Sequence, residues 1–129
     1  MFTIADIKAA HAKVKSGADF PAYIQDLITL GVTSYTTFLH DGHTEYNGAD
    51  GYKTQTPPSG MVRHITPTAN NAEFTSNLKA HQQGQTDYPT FCNIAAAAGV
   101  EKWVVVMQAM TCTYYDLQGN IMLEEKIPS

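Results

Sequence analysis

Residues 19–35 read DFPAYIQDLITLGVTSY and residues 87–103 read DYPTFCNIAAAAGVEKW, the same punctuation twice at an offset of 68. Across the aligned stretches 18–51 and 86–119 six positions are identical: Asp19/Asp87, Pro21/Pro89, Gly31/Gly99, Val32/Val100, Tyr46/Tyr114 and Gly51/Gly119. About two would be expected from composition. Four of the six stand where helix chemistry dictates a residue type. An Asp at the N-cap accepts from the orphan amides of the first turn and faces the positive end of the dipole. A Pro inside that turn loses no hydrogen bond. Gly suits the left-handed position just past the helix, and the following Val folds back on the last turn.

Between these marks Phe20, Tyr23, Ile24, Leu27 and Ile28 form one apolar stripe at helical spacing. After each Gly-Val the period changes to two. Tyr35, Thr37 and Leu39 alternate with Ser34, Thr36 and Phe38, and Trp103, Val105 and Met107 alternate with Lys102, Val104 and Val106. The second strand, apolar on both faces, is expected at the centre of a sheet; the Thr-rich first strand is expected nearer an edge. HDGH (40–43) offers an Asp-Gly hairpin turn and LQGN (117–120) another. Ala109-Met110, aligned with Asp41-Gly42, has no turn chemistry and predicts a longer, bent or bulged strand.

Each half carries a preceding helix. Thr3 with Asp6 makes a capping-box pattern, Ile4, Ile7, His11 and Val14 share a face, and Ser16-Gly17 is the expected stop. The third helix is expected from about Asn71, with Phe74, Leu78 and His81 on one side. KTQTPPSG (53–60) has linker composition, and MVRHI (61–65) is expected as a short strand after it. The fold class is therefore α+β: two helix–helix–strand-hairpin halves, an internal duplication, sharing one mainly antiparallel sheet with the helices packed on it. The single domain spans 1–129, with halves of about 1–52 and 70–128 joined by a linker of about 53–69. A chain of 129 residues buries a sufficient core without disulfide or metal.

Composition narrows the function. A net charge of −4, with eight Lys and Arg scattered along the chain, lacks the basic stripe of a nucleic-acid binder. The longest apolar runs, IAAAAGV and WVVVM, fall far short of the roughly 20 residues that span a bilayer, and the N-terminus lacks a signal-peptide pattern. The expectation is a soluble, cytoplasmic protein with no membrane and no nucleic-acid partner. Cys92 and Cys112 are expected as free buried thiols.

The stretches AHQQGQTDYPTFC and EKWVVVMQAMTCTYYDLQGN resemble the YdfO-like family of small bacterial and prophage-borne proteins, and the resemblance runs from Phe2 to Pro128. It implies an α+β fold and carries no assigned activity, substrate or cofactor. Members are often titled phage envelope proteins, which does not establish a role in the virion. They often carry an acidic residue soon after the Trp-Val-Val step, where this chain has Val106 and Gln108.

Candidate chemistry is sparse. No P-loop, dinucleotide-binding glycine pattern, nucleophile elbow or H-E-x-x-H occurs, so no cofactor, metal or catalytic residue is expected. HDGHTE (His40, Asp41, His43, Glu45) has metal-ligand residue types, but a hairpin sends neighbouring side chains to different faces, and a solvated turn is the plainer reading. His11 and His81 occupy equivalent helix ends, where an imidazole either flanks a cleft or bonds a carbonyl. Cys92 paired with His81 would resemble a nucleophile pair, yet its helical spacing with Phe91 and Ala95 places it in the core. HQQGQTDY brings together an imidazole, a helix stop at Gly84 and the cap Asp87. The expected ligand cleft is bounded by His81, Asp87, Trp103 and one of Tyr114 or Tyr115, which alternate across a strand. The expected function is that of a non-catalytic accessory protein, prophage-type, binding a protein partner or a small ligand, with a homodimer among the possible states. The alternative is a small-molecule-binding protein or small enzyme using the cleft near His81.

Overall fold

A computed structural model describes residues 2–15, 19–58 and 62–127. In chain order the elements are α1 (Ile4–His11), α2 (Phe20–Leu30), β1 (Val32–Phe38), β2 (Thr44–Gly48), β3 (Lys53–Gln55), α3 (Asn71–Gln82), α4 (Tyr88–Ala97), β4 (Lys102–Val106), β5 (Thr111–Tyr115) and β6 (Ile121–Lys126). The strands form one sheet in the order β3-β2-β1-β4-β5-β6, antiparallel at every step. Among the described residues this is an α+β fold of four α-helices and six strands.

Local chemistry explains most helix ends. Thr3 and Asp6 close the capping box on α1, Asp6 N–H donating to Thr3 Oγ1 at 3.2 Å and Thr3 N–H to Asp6 Oδ2 at 2.9 Å. The helix stops at His11, earlier than the Ser16-Gly17 signal, whose residues lie outside the described ones. Asp87 caps α4 by accepting from Thr90 N–H at 2.9 Å. Its counterpart Asp19 does not cap α2: its own backbone is already helical (φ −86°, ψ −2°), and its Oδ2 accepts from Lys15 N–H at 2.8 Å instead. A residue inside the spiral cannot arch its carboxylate over the first-turn amides. Gly31 (φ 101°) and Gly99 (φ 100°) both take the left-handed conformation that their position requires.

The two hairpins share their register at the offset of 68. Tyr35 faces Tyr46 in β1–β2, and Trp103 faces Tyr114 in β4–β5. The hairpins meet at β1–β4, where Thr36 sits opposite Val104. Thus β1, expected nearer an edge, is central and bonded on both sides. Its buried Thr37 is tolerated because its hydroxyl pairs with that of Thr44 at 3.0 Å. Met110 supplies what its aligned turn partner Gly42 supplies, a positive φ (51° against 78°), so the second hairpin turns where a longer strand was expected. Lys53–Gln55, within the stretch expected as linker, form the edge strand β3. Residues 62–65, expected within a short strand, join no ladder; Arg63 N–H donates to His40 O at 2.8 Å, and Ile65 is buried.

All four helices pack on one face of the sheet. Phe74, Ile24, Leu27, Leu39, Val100 and Val105 are the largest side chains at its heart, each less than 2% exposed. Among the described residues no helix is long and apolar enough to cross a membrane.

Candidate functional site: an aromatic cavity between helices and sheet

Where the helices meet the sheet they leave a cavity of about 770 Å³, bordered by all four helices and by the four inner strands. Alternation along the strands decides which side chains reach it. Tyr35, Tyr46, Trp103 and Tyr114 project from the helix-facing side of β1, β2, β4 and β5. Helices contribute His11, Tyr23, His81, Tyr88 and Phe91. The rings are in contact around the wall: His11–Tyr23 centroids lie 5.3 Å apart, Tyr88–Trp103 6.3 Å, Phe91–Trp103 5.9 Å and Trp103–Tyr114 5.8 Å. Tyr23, Tyr35, Trp103 and Tyr114 are each no more than 7% exposed, so this part of the wall is backed by the core. Tyr88, 44% exposed, stands at its open side.

Of the residues expected at the cleft, His81, Asp87, Trp103 and Tyr114 line this cavity. Tyr115 does not. It faces the opposite side of the sheet, half-buried, with the Lys102 ammonium 5.7 Å from its ring. The alternation of one strand allows only one of the two tyrosines on each face. Val106 and Gln108 are also outside the wall.

His81 stacks on Phe91, ring centroids 4.3 Å apart, and its Nδ1 lies 3.1 Å from Thr86 O and 2.9 Å from Thr86 Oγ1. Burial lowers its pKa from the ordinary histidine value, against the opposing pull of Thr86 and Asp87. The ring is therefore neutral at pH 7, and a proton on Nδ1 shared with Thr86 O leaves Nε2 as an acceptor. The helix-end reading and the cleft reading of His81 coexist: one nitrogen bonds a carbonyl while the ring lines the cavity. His11, on the same cavity, makes edge contacts with Tyr23 and with Tyr88 at 6.0 Å.

Tyrosine hydroxyls supply the remaining polarity. Burial raises the pKa of Tyr23, Tyr35, Tyr46 and Tyr114, so these keep their protons. Proximity to the Tyr23 and Thr44 hydroxyls opposes the effect of burial on Tyr46. The Tyr88 hydroxyl lies near the Cys92 thiol and the Tyr114 hydroxyl near the Cys112 thiol. Burial pushes the Cys112 thiol up to about 12 and raises that of Cys92, which does not line the cavity. A Cys92–His81 nucleophile pair has no thiolate to start from.

The HDGHTE cluster lies elsewhere, at the β1–β2 turn. His43 Nδ1 is 2.6 Å from Asp41 Oδ1, its Nε2 is 3.1 Å from Glu45 Oε2, and its ring stacks on Phe38 at 4.6 Å. Both nitrogens are occupied by carboxylates, and among the described residues no group of three or more His, Cys, Asp or Glu could hold a metal ion.

Sequence reasoning missed Tyr23, Tyr35 and Tyr46 as wall residues. A signal was present: they stand 68 positions before Phe91, Trp103 and Tyr114.

The chain is 34% identical over 58 residues to an uncharacterised protein of Mycobacterium bovis and, to the same extent, to uncharacterised proteins of two Mycobacterium tuberculosis strains. The match covers 45% of this chain and about a third (35%) of the length of each relative. Over residues 8–126, nearly its whole length, the chain matches the family described as protein of unknown function (DUF1398), and it belongs to that family.

Proposed function

We propose that this protein is a non-catalytic binding protein for a small molecule, held in the aromatic cavity between the helices and the sheet. The observation that carries this reading is the cavity itself. A volume of about 770 Å³ lies within the range of small-ligand sites, and its wall combines many aromatic rings with few polar groups. Of the two wall histidines, His81 has one nitrogen committed to Thr86, and both thiols are held protonated, which favours binding over covalent chemistry. The repeated register and the two glycine-ended helices support a second element of the reading, that the halves are copies of one unit sharing one site. The YdfO-like resemblance supports a cytoplasmic accessory role in a prophage setting.

Trp103 is the single tryptophan of the chain and lies in the wall, so its fluorescence reports occupancy directly. Neutral bicyclic aromatic fragments screened by thermal shift should give stabilising compounds that also change this emission. Their stabilisation should be lost in His81→Ala and Trp103→Ala. Hits that stabilise both variants as much as the parent protein would place binding elsewhere and end this reading.

A further inference from the structure

Cavity positions 68 apart differ in a consistent sense. Tyr23 corresponds to Phe91, Tyr35 to Trp103 and Thr44 to Cys112, all six on the wall. Thr37, also on the wall, corresponds to the core residue Val105. In each pair the residue from the first half carries a hydroxyl and the residue from the second does not. Phe20 and Tyr88 reverse the order, with the Tyr88 hydroxyl near the Cys92 thiol, which is outside the wall. Tyr46 and Tyr114 are alike in type, with Tyr114 near the Cys112 thiol. The strand order puts the two sets on opposite sides of the β1–β4 junction.

On the first side Tyr23, Tyr46, Thr44 and Thr37 bring four hydroxyls to the wall, with Thr37 Oγ1 and Thr44 Oγ1 3.0 Å apart. Each hydroxyl offers one proton and two lone pairs. The single Thr37–Thr44 bond leaves protons and lone pairs of the group for a guest. On the second side Phe91, Trp103 and Tyr114 offer ring faces. Charge stays at the rim: Lys8, Lys15, Asp87 and Lys126 are exposed, and Glu125 is half-exposed with Oε1 accepting from Gln82 at 3.0 Å. A charged guest at depth would be buried without an ionic partner, at high cost. The ring faces on the second side suit a planar guest that lies against them.

We propose that the ligand is a flat, neutral, amphipathic aromatic molecule held in one orientation, its rings against Phe91, Trp103 and Tyr114 and its hydroxyl or carbonyl end at the cluster of Tyr23, Tyr46, Thr44 and Thr37. This rests on the small-molecule reading above and assigns its chemistry. Equilibrium dialysis of the full chain against 2-naphthol, naphthalene and 2-naphthoate tests it. 2-Naphthol should bind about tenfold more tightly than naphthalene, the scale of one net hydrogen bond in a dry site. 2-Naphthoate should bind more weakly than either. In Tyr46→Phe and Thr44→Val, two conservative changes that keep the cavity shape, the preference for 2-naphthol should fall to within twofold while naphthalene binding holds. Naphthalene binding as tightly as 2-naphthol to the parent protein would overturn the assigned orientation and leave the cavity reading standing. So would a preference that survives in both variants, or tightest binding of 2-naphthoate. Retention of none of the three probes would overturn the cavity reading itself, and this inference with it.

Discussion

His43 lies between two carboxylates, and His81 lies against an aromatic ring; the two imidazoles titrate in opposite directions. The hydrogen bond to Asp41 raises the His43 pKa, with burial opposing and Glu45 assisting. Its contribution to stability is complete below the ordinary histidine value near 6.5 and is lost as pH rises through the higher folded value. Burial opposes ionisation of Asp41, but its bonds to His43 prevail and lower its pKa, so its contribution is present above the ordinary carboxylate range and fades in acid. His81 has a lowered pKa, which makes folding less favourable as pH falls below 6.5 and is relieved as pH rises. Denaturation midpoints between pH 5 and 9 should separate them: His43→Asn removes a component that declines with rising pH, and His81→Asn removes one that increases. An unchanged pH profile in His43→Asn would show that the carboxylate pair adds no net stability. The thiols give a second expectation at this scale. Cys92 and Cys112 are 2% and 3% exposed with raised pKa values, so a disulfide reagent at pH 8 should label neither until the protein unfolds. Fast labelling of native Cys92 would revive the nucleophile reading.

At the scale of elements, the two helix-ending glycines have nearly the same φ but unlike surroundings. A Cβ on Gly31 would find its nearest neighbour, Phe2 Cδ2, at 4.0 Å. A Cβ on Gly99 would lie 2.8 Å from Ala69 Cα and 3.2 Å from Thr68 O, both backbone atoms that cannot rotate away. Gly31→Ala should therefore cost about 1 kcal/mol, the left-handed penalty alone. Gly99→Ala should cost more than twice as much, measured by urea denaturation. Equal costs would show that the chain around Ala69 yields. These helices were legible in the sequence because capping, proline and glycine chemistry are local. The Asp19 cap was misread because its failure depends on one backbone angle. The central place of β1 was misread because its threonines gave an edge signature. The hydroxyls of Thr33 and Thr37 are satisfied across the sheet by Asn47 O and Thr44 Oγ1, residues that the local pattern does not identify.

At the scale of the molecule, the halves share one sheet and one core, joined at the β1–β4 ladder. Neither has an apolar interior of its own, so unfolding should be a single transition. Leu27 in the first half and Phe74 in the second are both 0% exposed. Leu27→Ala and Phe74→Ala should each cost about 3–5 kcal/mol and shift that one transition as a whole, with calorimetric and van't Hoff enthalpies in agreement. A biphasic transition in either variant would show that the halves fold independently.

Local grammar is written along the chain: most helix starts and stops, the strands that alternate, and the residues that recur at 68. The sequence also named four members of the cavity wall, His81, Asp87, Trp103 and Tyr114, because they cluster around one loop and the strands that follow. That Tyr115 faces the other way, that Tyr23, Tyr35 and Tyr46 line the wall as well, and that β1 lies at the centre follow from the packing of the layers. Capping and periodicity act over a few residues and are written in the order of the chain. A cavity is the space that packed layers fail to fill, and its wall is chosen by sheet order and strand register, which join residues far apart in sequence.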